Sequence, residues 1–413
     1  MKYLIVAIIT LSISGLGAAD DSSSRLFAPD NLYNQLEESY RYWDEKARGM
    51  DQPLYNLKLA GSLLRLYSVD ADLDNLIEAE QLVDNYLNTY STVLSSASAY
   101  RMRAQIRIKE HRFCDALDDL LIAESMGESL RQTRALLFDV YFELADYQEA
   151  VKYLRYLSLE QDFDYLVRQA RMDDADGNLE SAIERIEASR KLVASNDWHK
   201  QAWISSNLAD FYGHAGEIEK SRSLFKAALE LNPADWYSIK GLAWISYAHD
   251  DQPEKALSLL KAVDQKYDIP QVQMLKYEIH TYLGNSEKAD ALRKSIIQSM
   301  TSDRYLTTYA SYLFDICDSK NQAQLLKKIV DLESNQGMGH GRYVRKALWL
   351  DWNGRNAEAA RTIEKHVLNQ TEEPAILLAS AKILGQRHPA YNTLINAVKE
   401  AFFELGPLAT MEI

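Results

Sequence analysis

Eight stretches of the chain share one pattern. A small residue is followed by apolar residues at every third or fourth position, with charged residues between them. The stretches are FCDALDDLLIA, YQEAVKYLRYL, LESAIERIEAS, IEKSRSLFKAAL, PEKALSLLKAV, SEKADALRKSI, NQAQLLKKIV and NAEAARTIEKHV. That spacing gathers the apolar side chains on one face of a helix. The small residues are Ala116, Ala150, Ala182, Ser221, Ala256, Ala289, Ala323 and Ala359, separated by 34, 32, 39, 35, 33, 34 and 36 residues. A period of about 35 residues marks a stack of helix pairs, because one pair cannot bury its apolar face alone.

Turn chemistry keeps the same register. Gly177, Gly216, Gly284 and Gly354 each lie five residues before a small residue. Glycine there can take a positive φ and end the first helix of a pair sharply. The small residue then sits where the second helix must approach the first. Pro233, Pro253, Pro270, Pro374 and Pro389 all fall at joints between helices, where a missing N–H costs little. Upstream, Asp30 reads as the N-cap of an amphipathic helix carrying Leu32, Leu36, Tyr40 and Trp43 at helical spacing.

The repeat resembles the tetratricopeptide repeat. Its best unit spans 202–235, with Leu208, Ala209 and Tyr212 in the first helix, Gly216 at the turn, Ser221, Phe225 and Ala228 in the second helix, and Pro233 at the exit. Ser205 stands where the family has Trp, with Trp203 two residues away. The resemblance implies an all-α, right-handed superhelical solenoid of about 8–10 helix pairs. It covers residues 97–370; 30–96 and 371–413 read as degenerate capping repeats at the two ends.

Composition agrees with an all-α chain. Only 8 Pro and 16 Gly occur in 413 residues, too few turn-formers for an all-β protein of this length. Lys and Arg number 46 against 60 Asp and Glu, a net charge of −14 that argues against nucleic-acid binding. The N-terminus adds a location. Lys2 precedes the apolar run YLIVAIITLSISGLG, and Gly17-Ala18-Ala19 supplies small residues before Asp20. This is the pattern of a signal peptide over 1–19, too short for the roughly 20 residues of a membrane span. Residues 20–29 read as a Ser-rich leader. The expected mature chain is exported, periplasmic or secreted.

Candidate chemistry is sparse. The chain has no GxSxG, GxxxxGK[ST], HExxH or CxxC motif, and its eight histidines never recur at i, i+3 or i, i+4. Cys114 and Cys317 lie about six repeats apart, too far for a disulfide in an extended solenoid, and read as core residues. The acidic run Asp173 to Asn178 suggests a calcium loop, but Met172 and Ile183 stand where the first and last ligands are needed. It reads as an acidic turn. The loop GMGHGRY at 337–343 lacks a P-loop lysine and reads as an inter-repeat connection. Asn369-Gln370-Thr371 is a glycosylation sequon, relevant only in a eukaryotic secretory cell. Neither a cofactor nor a metal is implied, and no paired-acid constellation suggests an enzyme.

In tetratricopeptide solenoids, set positions of each first helix face a concave groove. The resemblance places Trp203, Asp210, His214, Tyr237, Lys240, Trp244 and Tyr247 there, flanked by Arg171 and by Met274, Glu278 and Tyr282. Aromatic and Met side chains beyond what a packed core needs suggest a binding surface. Two readings follow. One is a non-catalytic exported scaffold holding a protein segment or an envelope partner; the other is a carbohydrate-handling solenoid stacking its aromatic residues on sugar rings. A carboxylate clamp for chaperone tails is not expected. Asn207 fits one of its positions, but Val167 and Arg171 replace the Lys and Asn needed in the preceding unit.

Overall fold

A computed structural model describes residues 29–50, 52–91, 96–127, 129–264, 269–299, 323–336, 339–371, 373–400 and 403–410. The signal-peptide expectation, most of the leader and Cys317 lie outside these residues. Twenty-one helices and no strand occur among the described residues. Helix α1 (Pro29–Gly49) packs on α2 (Pro53–Asp70), which pairs with α3 (Leu73–Tyr90). Antiparallel pairs then follow in order: α4 (Ser96–Lys109) with α5 (Phe113–Ser125), α6 (Leu130–Glu143) with α7 (Tyr147–Leu157), and α8 (Phe163–Ala175) with α9 (Leu179–Arg190). Next come α10 (Trp198–His214) with α11 (Ile218–Leu231), α12 (Trp236–Ala248) with α13 (Pro253–Asp264), and α14 (Pro270–Tyr282) with α15 (Ser286–Ser299). Beyond α16 (Ala323–Gln336) stand α17 (Gly341–Trp352) with α18 (Asn356–His366), and α19 (Pro374–Leu384) with α20 (Tyr391–Glu400). A single turn, α21 (Pro407–Thr410), ends the described chain.

The small residues do what their spacing predicts. Ala116, Ala150, Ala182, Ser221, Ala256 and Ala359 are wholly buried, and Ala289 is buried as well. Five residues before each, the backbone enters the left-handed region. Gly177, Gly216, Gly284 and Gly354 have φ of +75°, +76°, +70° and +74°. The turn is also left-handed where no glycine is present: His111, Ala145 and Asp251 take φ of 57°, 60° and 53°. The geometry therefore recurs in units whose sequence does not advertise it, and a side chain there carries strain. Helix starts follow ordinary capping. Asp72, Asp146, Asp162, Asp197 and Asp235 each accept a first-turn backbone N–H, and Pro253, Pro270 and Pro374 open their helices.

Some expectations need correction. Helix α1 begins at Pro29, so Asp30 lies in its first turn rather than at its cap; Pro suits the first helical position because it has no N–H to leave unpaired. Cys114 is half-buried on α5 rather than in the core, because it lies beside the inward-facing Phe113 and not on that face. Residues 371–413 divide: α19 and α20 extend the stack, whereas 403–410 turn back onto the middle of the solenoid. The winding also brings distant repeats together. Helix α16 touches α5, and the Gly339 amide in the 337–343 loop donates to the Glu143 carbonyl on α6, 3.3 Å away.

Between α3, α4 and α5 the interior is ionic, and its carboxylates Glu80 and Asp119 are matched by arginines. Arg103 and Arg107 reach Asp119 at 2.7 and 2.9 Å, and Arg107 and Arg112 both reach Glu80 at 2.8 Å. Asp119 and Glu80 are buried, so these pairs satisfy carboxylates that water cannot reach.

Candidate functional site

The first helices of three successive pairs, α10, α12 and α14, carry all eight residues singled out as a binding surface. Asp197 caps α10 and Asp235 caps α12, fixing where each helix starts and hence which side chains face inward. On α10 and α12, Tyr237 donates its hydroxyl to Asp210 Oδ2 at 2.7 Å, and the Lys240 ammonium lies 5.2 Å from the Tyr237 ring centre. Burial pushes the Asp210 carboxyl up to about 7, against the Tyr237 hydrogen bond and the Lys240 charge, and pushes Lys240 down.

The remaining residues are partly or wholly buried. Tyr247 has no exposed surface, Met274 is buried, and Trp244 and Trp203 are half-buried. Two causes operate. Met274 joins the core shared with α2 to α6, and Trp203 packs on Phe163 with ring centres 5.8 Å apart and its indole N–H without an acceptor among the described residues. Trp244, Tyr247 and Glu278, by contrast, are covered by the chain's own C-terminal segment.

That segment is held through its main chain. Trp244 donates its indole N–H to the Phe403 carbonyl at 2.6 Å, across 159 residues of sequence. Leu408 donates its amide to the Tyr247 hydroxyl at 3.3 Å. The Phe403 ring enters a pocket with Ala209, Leu242 and Ile245 in its wall. Two imidazoles complete it: His249 stacks on the ring at 5.8 Å, and His214 meets it edge-on at 5.3 Å. Gly213 leaves the room, since a Cβ there would lie 2.5 Å from the Phe403 ring. Gly406 passes so close to α12 that an added Cβ would be 3.0 Å from both Trp244 and Tyr247, and would collide with Glu278.

Charge in the pocket is poorly matched. Glu404 Oε1 stands 3.3 Å from His214 Nε2. Burial drives Glu404 up to about 7 and His214 down to about 3, so the pair is neutral near pH 6. Asp174 on α8 is pushed up to about 8 by burial and by Glu404, against the opposing charge of Arg171. Asp174 and Asp210 of the solenoid thus meet Glu404 of the docked segment. Arg171 itself is engaged, 2.6 Å from Glu143 and 3.3 Å from Asp139. Asn207, the clamp-like residue, is also occupied, donating to the Trp203 carbonyl at 2.7 Å.

Phe403, Glu404, Gly406, Leu408, His249 and Gly213 were not among the residues the sequence singled out, and Asp174 was read only as part of an acidic turn. Gly213 was the available signal, because a glycine inside a helix costs roughly 1 kcal/mol against Ala and points to a close approach.

No protein-family model matches the chain. No curated protein matches it either. Among solved structures it is similar to a tetratricopeptide repeat protein from Parabacteroides merdae, at 14% identity over 67% of this chain and 95% of that one, TM-score 0.42. It is similar to the pilF protein of Pseudomonas aeruginosa, at 14% identity over 52% and 97%, TM-score 0.38. A human IFIT1 dimer with PPP-AAAA is similar at 13% identity over 93% and 94%, TM-score 0.47. Among the described residues, no helix is long and apolar enough to cross a membrane. By its own helix pairs, its buried small residues and its recurring left-handed turns, the chain is a tetratricopeptide-like solenoid.

Proposed function

We propose that this protein is a non-catalytic, exported scaffold that holds an extended segment of a partner protein along α10, α12 and α14. One observation carries the reading: Trp244 and Tyr247 bond to a carbonyl and an amide of a remote stretch of main chain. Main-chain groups are common to every polypeptide, so side chains that read them suit a peptide ligand, with neighbouring pockets selecting side chains. The carbohydrate alternative is less well supported. Sugar stacking needs exposed, roughly coplanar rings, whereas Trp244 and Tyr247 meet at 69° and Tyr247 is buried. Export rests on residues 2–19, and N-terminal sequencing of the native protein should begin at or near Asp20; an intact Met1 would contradict it.

The test is recovery of polypeptides from the native envelope fraction by the wild-type chain and by Trp244→Ala of matched helicity. Truncating an aromatic anchor should cost about 2 kcal/mol of binding, roughly thirtyfold in affinity. Partners bound by wild type and depleted by the variant are expected. Equal recovery by both would end the groove reading.

A further inference from the structure

We infer that residues 403–410 are a resident, displaceable ligand of the groove, and that the partner segment replacing them carries an aromatic side chain three positions before a glycine. The inference rests on the groove reading above and adds what the groove selects and what first occupies it. The specificity comes from two steric facts. The Phe403 pocket exists because Gly213 has no side chain, and Gly406 clears Trp244, Tyr247 and Glu278 because it has none either. An occupant therefore needs a planar ring at the first position and no Cβ at the fourth.

The resident segment is anchored lightly for something so deeply placed. Trp244 and Tyr247 hold it through one carbonyl and one amide, His249 adds a bond to the Phe403 main chain, and α21 is a single turn resting on α14. It also brings Glu404 towards Asp210 and Asp174, where its carboxyl meets His214 and the main chain of Phe403 and Glu404 itself but no arginine or lysine among the described residues. A carboxyl placed among carboxyls works against permanent docking, in contrast to the arginine-matched carboxylates of α3 to α5. A tethered segment competes at an effective concentration of about millimolar, so an outside segment binds only when it fits better or is itself concentrated. The tail thereby screens out weak ligands and covers the apolar pocket when no partner is present.

The probe is a fluorescent peptide of residues 400–413, added to the full-length chain and followed by anisotropy. Phe403→Ala in the full chain should bind this peptide at least tenfold more tightly than wild type does, because its own tail no longer fills the pocket. Peptides carrying Phe403→Ala or Gly406→Ala should lose at least tenfold. A folded Phe403→Ala chain that binds the peptide no better than wild type would overturn the inference. Should that variant fail to fold, hydrogen exchange on the wild-type chain decides. Faster exchange over 403–410 than over α10 and α12 supports a detachable occupant, and equal protection makes it part of the core. If the peptide fails while Trp244-dependent capture of partners succeeds, the groove reading survives without the resident ligand. If the peptide binds as expected while capture fails, the self-occupancy stands and the function needs another partner.

Discussion

Two parts of this solenoid bury acidic side chains, and they do so in opposite ways. Between α3, α4 and α5, Glu80 and Asp119 are each gripped by two arginines, and burial raises Asp119 only against their opposition. In the groove, Asp210 and Asp174 meet Glu404 of the docked tail, and the three are pushed up to between about 7 and about 8. The first arrangement is a finished cluster, in which Glu80 and Asp119 each have their counter-charges and removing a partner strands the other. The second resembles an interface, in which groups from a remote segment are tolerated but not completed. Full pairing is therefore a better guide than burial to which parts of the molecule can separate.

The sharpest way to break this contrast is Asp119→Ala. It leaves Arg103 and Arg107 without their shared carboxylate, and breaking such a buried pair costs about 3–5 kcal/mol. Urea unfolding should show a loss of that size; a change below about 1 kcal/mol would make the network a surface feature in energetic effect. Phe403→Ala tests the other side. A core Phe→Ala costs about 3–5 kcal/mol, whereas a detachable tail should lower global stability by no more than about 2 kcal/mol while its amides lose protection. The Trp244→Ala variant should behave alike. Since Trp244 is half-buried and holds the Phe403 carbonyl, some loss of stability is expected from releasing the tail.

A pH series separates the regions without mutation. Glu404 and Asp174, which the docked tail brings together, favour docking below their ordinary values of 4.5 and 3.8, and that contribution is lost as pH rises through about 7 to about 8. His214 acts in the other direction. Its pKa falls from 6.5 to about 3, so its contribution is present above 6.5 and lost as pH falls towards 3. The titratable groups around the tail are Asp174 and Arg171 from α8, Asp210 and His214 from α10, Tyr247 from α12 with His249 just past its end, and Glu278 from α14, while Lys240 on α12 faces Asp210. Arg171 softens the alkaline effect without removing it. The tail should therefore hold most firmly in the mildly acidic range and loosen towards about pH 9, by the linkage above. Hydrogen exchange over 403–410 would follow this, and a flat profile would contradict it.

The smallest expected effect lies in the repeat turns. Ala145 occupies the left-handed position that Gly216 fills elsewhere, so Ala145→Gly should stabilise by about 1 kcal/mol. Asp251→Gly should gain less, because Asp tolerates this conformation better. A loss of stability in Ala145→Gly would show that unfolded-state entropy outweighs the strain.

Much of this architecture could be read from local pattern. The recurring small residues gave the close helix contacts, and four glycines located turns whose geometry proved to extend to His111, Ala145 and Asp251. The groove residues could be placed on the correct helices, yet their surroundings could not. Tyr247 and Met274 looked like spare side chains on an open face, and both are buried. Nothing near them in sequence indicates the cover, because the contact between Trp244 and Phe403 spans 159 residues.

The amino-acid sequence alone determined the helices, their pairing and their register. Those depend on side-chain periodicity and on turn residues within one repeat, which act over a few residues and leave a repeating trace. Only the tertiary structure decided how tightly the repeats wind, that α16 returns to α5, and that the chain's end fills its own groove. Small rotations between successive repeats accumulate along a solenoid, so no single unit records the final approach of distant ones. Gly213 and Gly406 are where that approach left its mark, as two missing side chains whose purpose appears only once the segments meet.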